Sequence, residues 1–101
     1  MRISEVQGER ALDVMADLME IFENEKISEA FKKNENSKAL RIMLKEHRSA
    51  VYDLIAAVQG VEPSKADVSV KNLSDELSNI FADPELSSLF MSSGSNATET
   101  L

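Results

Sequence analysis

The chain has 101 residues, with 18 acidic and 11 basic side chains, a net charge of −7 and no cysteine. That length suits one domain with a modest core, the charge repels nucleic-acid phosphates and anionic membranes, and the missing thiols exclude disulfides and cysteine-held metal or redox centres. Hydrophobic residues make up 43% of a Leu-, Ala-, Glu-, Lys-, Ser- and Met-rich chain with 3 glycines and 2 prolines, a composition of globular helical proteins.

Ser4 and Gln7 have capping-box spacing. After them Ala11, Leu12, Val14, Met15, Leu18, Met19, Ile21 and Phe22 recur in steps of three and four, which predicts a first helix over 5–23. Gly8 weakens its first turn. Glu23-Asn24 interrupts the pattern, and Ile27, Ala30 and Phe31 predict a second helix over 25–33. "KKNENS" reads as a linker, with Asn36 or Ser37 capping a third helix over 37–59. Its stripe is Leu40, Met43, Leu44, His47, Val51, Leu54, Ile55 and Val58, with a bend open at His47–Ser49 and Gly60 in the C′ position. "GVEPSKADVSV" is a connector, and Ser69 caps a fourth helix over 70–82 marked by Val70, Leu73, Leu77, Ile80 and Phe81. Asp83-Pro84 restarts the chain as a fifth helix over 84–91, carrying Leu86, Leu89 and Phe90. The expectation is an all-α bundle of five helices over 1–91, followed by a flexible tail over 92–101. "MRISEVQGERAL" lacks the apolar core of a secretory signal, and no run reaches the ~20 apolar residues of a membrane span, so a soluble cytoplasmic protein is expected.

Residues 17–31 and 76–90 say nearly the same thing twice. Leu18/Leu77, Ile21/Ile80, Phe22/Phe81, Ser28/Ser87 and Phe31/Phe90 are identical pairs. Two readings stand: separate helical corners that reached one solution, or a pseudo-symmetric bundle with the third helix along its middle. In both, the four phenylalanines belong to the core.

The residues for catalysis are scarce. His47 is the only histidine, and "KEHR" is not a zinc-binding arrangement. A partly exposed side chain at a bend explains it better than a general base. "ENE" and "NEN" lack the glycine and ligand cadence of a calcium loop. Lys32-Lys33 and Lys45 with Arg48 are too small a basic group for nucleic acid, and no glycine-rich phosphate loop is present. No enzyme, metal or cofactor is expected, and the function left is binding. Met15, Met19, Met43 and Met91 suit an adaptable apolar surface, although methionine also serves as core filler, and Met15, Met19 and Met91 are taken as partner-binding candidates. Ile42 and Tyr52 lie off the main stripes and are further partner-binding candidates.

"LKEHRSAVYDLIAAVQGVEPS" and "LSDELSNIFADPELSSLFMSSG" resemble segments of the small tail assembly chaperones of long-tailed (siphovirus-like) phages and prophages of Gram-positive bacteria. The family pattern "LIAxLAxLNGV-P" corresponds to Leu54–Pro63, and "NDPELxxLF" to Ala82–Phe90, within a likeness over residues 10–92. Gln59 stands where the pattern has Asn, and the connector 64–69 is polar where the family often has an aromatic. The resemblance implies a chaperone that binds the helical, apolar tape measure protein in the host cytoplasm and keeps it soluble during tail assembly. It also implies that a longer form made by ribosomal frameshifting would extend from the tail. Self-association stays open. The alternatives are a structural virion or head–tail subunit and a small helical adaptor or regulator.

Overall fold

The computed structural model describes residues 1–91. A 3-10 turn, Ile3–Glu5, precedes α1 (Glu9–Glu23), α2 (Glu25–Lys32), α3 (Asn36–Glu46) and α4 (Arg48–Gln59). A second 3-10 turn, Pro63–Lys65, leads to α5 (Val70–Phe81), α6 (Pro84–Leu86) and a π-helical turn, Ser87–Met91. The described residues contain no strand, so the expected all-α bundle is what forms. The tail 92–101 lies outside the described residues.

The first four helices are two bent rods, each with a single-residue elbow. Asn24 alone separates α1 from α2, and His47 alone separates α3 from α4. The rods nest, with α1 along α4 and α2 along α3. Their elbows touch: the Asn24 amide nitrogen lies 3.1 Å from His47 Nε2. Asn24 Oδ1 meanwhile accepts from the Lys26 and Ile27 N–H groups, an ordinary N-cap for α2. Because that oxygen is committed, the amide nitrogen must face His47 and donate to it. Nε2 is then the acceptor, and Nδ1 carries the proton it shares with Glu20 Oε2 at 2.8 Å.

This geometry corrects the single helix expected over 37–59. The bend allowed at His47–Ser49 is a full break, with His47 at φ −132° and ψ 43°. The break turns α4 onto α1, where Ala50, Val51, Leu54, Ile55 and Ala57 are buried. The start of α1 is also later than expected. Gly8, at φ 72°, is the cap residue, and a left-handed backbone there separates α1 from the turn before it. The expected Ser4–Gln7 capping box gives way to Arg2 N–H donating to Glu5 Oε1 at 2.9 Å. Ser4 gives its own backbone N–H to Asp83 Oδ2 at 3.0 Å, and Ile3 beside it is buried.

Helix ends follow local chemistry elsewhere. Gly60, at φ 73°, closes α4 with Val61 N–H on Ala56 O at 3.0 Å. Asn34, at φ 60°, closes α2 in the same way, with Glu35 N–H on Ala30 O at 2.7 Å. Ser69 caps α5 through Asn72 N–H, as expected. Asp83 Oδ1 accepts from Glu85 N–H, so the Asp-Pro restart is also real. The core itself is built on Ile21, Ile27, Met43, Leu54, Ile55, Leu77, Ile80 and Leu86.

The repeated phrase has a structural meaning. All four phenylalanines meet in one cluster, half-buried against the core. Phe22 stacks on Phe90 with centroids 4.9 Å apart and planes at 10°, and Phe31 meets Phe81 at 5.7 Å. The first ring of each phrase therefore takes the second ring of the other. The reciprocity is one of partners and not of geometry, since the first pair is stacked and the second is tilted by 31°. Phe22 also lies 5.6 Å from Phe31 and 6.2 Å from Phe81, which makes it the hub.

Candidate partner-binding surface

Helix α1 carries more apolar side chains than its neighbours can cover. Val14, Leu18 and Ile21 are buried against the bundle. Leu12, Met15 and Met19 form a second row on the same helix, and they are 72%, 42% and 49% exposed. The spacing of three and then four keeps them on one face. At 1.5 Å per residue the row is ~10 Å long, about two turns.

The row borders a groove of about 300 Å³ between α1 and the 84–91 segment. Met15 and Leu18 form one wall, Leu86 and Leu89 the other. Leu89 is 54% exposed, so the apolar surface continues from α1 across the groove. The acids of α1 edge this surface. Glu9, Asp13, Glu20 and Glu23 are exposed in the row beside Leu12 and Met19, and Glu85 lies at the far lip.

Another concentration of polar groups lies in the seam between α1 and α4. Arg10 Nη1 binds Asp53 Oδ1 at 2.8 Å and Asp13 Oδ2 at 3.2 Å, and Nη2 reaches Asp53 O at 3.2 Å. The hydrogen bond to Asp53 is the main reason the guanidinium is held above its ordinary pKa. Asp17 has a buried Oδ2 with no partner. Desolvation, then its hydrogen bond with Asp53, pushes Asp17 up to about 8. Burial pushes Asp53 up too, but the hydrogen bonds from Asp17 and Arg10 outweigh it and hold Asp53 below the usual range. A split carboxyl pair of this sort can serve acid–base chemistry. Here neither carboxyl lines the α1–α6 groove or the grooves beside Met1, Gly60 and Phe31. The pair ties two helices together. Among the described residues Asp83 is the fully buried acid; burial raises it, and hydrogen bonds from Ser4 and Glu85 N–H more than reverse the effect. Among the described residues, no three His, Asp or Glu side chains converge as a metal would need.

Of the partner-binding candidates named from the sequence, Met15 and Met19 are brought together on the α1 face. Tyr52 is 45% exposed on α4, and Ile42 is half-buried on α3 against the core. The side chain of Met91 lies outside the described residues. Leu12 and Leu89 are the additions, since periodicity had placed both in the core. The signal for Leu12 was present: residues 12, 15 and 19 form a stripe offset from 14, 18 and 21, wider than one packing face requires. His47, expected as a partly exposed side chain at a bend, is the elbow between α3 and α4. Comparison with family models, with curated proteins and with solved structures found no match to this chain.

Proposed function

We propose that the chain is a non-enzymatic tail assembly chaperone, which holds apolar helical segments of a phage tape measure protein in the host cytoplasm. The observation that carries this reading is the uncovered row Leu12–Met15–Met19 beside the α1–α6 groove. An amphipathic helix can lay its own apolar stripe along such a row. Two methionines set among two leucines give that surface unbranched, adaptable thioether side chains, which suits a client with many similar segments. The footprint is small. Four partly covered side chains contribute ~1–2 kcal/mol each, much of it offset by the freedom lost on association. Binding is then weak and reversible, as a chaperone that must leave the assembled tail requires.

The test is co-expression with the tape measure protein, scored as its soluble fraction. The chain should raise that fraction, and Leu12→Ser with Met19→Ser should abolish the gain while leaving the far-UV circular dichroism unchanged. Equal insolubility of the tape measure protein with and without the chain would refute the proposal.

A further inference from the structure

Resting on that reading, we infer that the segment accepted by the α1–α6 face is a cationic amphipathic helix, with lysine or arginine flanking its apolar stripe. The argument is charge complementarity. Glu9, Asp13, Ala16, Glu20 and Glu23 follow one another at steps of four and three, so they form the row next to Leu12, Met15 and Met19. Four of those five positions are acids. Glu85 stands on the opposite side of the groove. The only base on α1, Arg10, is turned toward Asp13 and Asp53 in the α4 seam. Among the described residues Glu9, Glu23 and Glu85 enter no ion pair. Asp13 and Glu20 are engaged by Arg10 and His47, so a helix seated on the apolar row runs between the unpaired Glu9 and Glu23 on one edge and Glu85 on the other. An anionic segment would place like charges along both edges, and a neutral one would leave the acids as they are. Only a basic flank gains from the position.

The full chain is tested by fluorescence anisotropy against three synthetic helical peptides of about 18 residues. They share one leucine stripe at i, i+3, i+4 and i+7 and differ in flanking residues: all lysine, all glutamine or all glutamate. The lysine peptide should bind about tenfold or more tightly than the glutamine peptide, and added salt should narrow that ratio. The glutamate peptide should bind most weakly. Glu9→Gln, Glu23→Gln and Glu85→Gln combined should bring the lysine-to-glutamine ratio toward one without altering glutamine-peptide binding. Leu12→Ser should weaken both. Equal binding of the lysine and glutamine peptides overturns the charge inference and leaves the apolar holdase reading standing. Failure of all three peptides overturns both. Lysine-peptide binding indifferent to Leu12→Ser means bulk attraction to an acidic protein, and it too overturns the inference. So does a concentration-dependent dimer abolished by Leu12→Ser, since the face would then belong to a second copy.

Discussion

Phe22→Ala is the most informative single truncation in this fold. Its ring touches three others, at centroid distances of 4.9, 5.6 and 6.2 Å. A fully buried phenylalanine loses ~3–5 kcal/mol on truncation to alanine. Phe22 is only half-buried, so the transfer part falls to about 2 kcal/mol. Each aromatic pair adds ~0.5 kcal/mol or more beyond area. The expected total is about 3–4 kcal/mol, or a fall of ~12–25 °C in melting midpoint for a domain of this size. Far-UV circular dichroism in a urea series is the direct assay. The reciprocal pairing adds a sharper demand. A double-mutant cycle on Phe22 and Phe90 should give a coupling of about 1 kcal/mol, and a cycle on Phe31 and Phe81 a similar value. Coupling below ~0.3 kcal/mol in both cycles would mean additive, independent rings. The crossed arrangement of the two phrases would then be wrong.

Asp17→Asn should stabilise the protein at neutral and alkaline pH. With its folded pKa raised to about 8, Asp17 keeps a proton that the unfolded chain has already released. Its effect on stability therefore worsens as pH rises from the ordinary carboxylate range toward that value, and it levels off above. The asparagine variant should gain ~1–2 kcal/mol there, a figure scaled down because the seam still meets water, and urea midpoints across roughly pH 5–9 should lose that slope. A slope identical in both proteins would show that Asp17 titrates normally. Asn24→Ala should cost ~1–2 kcal/mol, as a lost helix cap does. Asn24→Asp should keep the cap but set a carboxylate against Glu46, now 3.3 Å from the amide, and should still destabilise in a urea melt. If the aspartate variant matches wild type, the amide donates nothing that matters. Gly60→Ala should cost ~1 kcal/mol through its φ of 73° alone, since an added Cβ there meets nothing within 4 Å. An unchanged midpoint would mean that the turn relaxes.

The helices were legible because their signals are local. Apolar residues at steps of three and four, Ser69, the Asp83-Pro84 pair and Gly60 each act within one turn of their own position. The break at His47 was only half legible. Periodicity runs through it, and the partners that fix it, Glu20 and Asn24, lie 27 and 23 residues away. Gly8 was read as a weak helical position, whereas its left-handed φ makes it the boundary. The pairing of Phe22 with Phe90 was hidden for a similar reason: repetition shows that two segments are alike, not which ring meets which. On the candidate surface, Met15 and Met19 could be named from residue type. Leu12 and Leu89 were misplaced because an apolar arc does not state how much of itself a neighbour will cover.

The contact between Asn24 and His47 also couples the two bends of the fold. Four helix termini converge at this contact, the last turns of α1 and α3 and the first turns of α2 and α4. The Asn24 amide cannot swivel to another partner without uncapping α2, and Glu20 holds the imidazole ring from its other nitrogen. One side-chain pair thus sets the angle of both rods at once, and neither can straighten unless the other gives way.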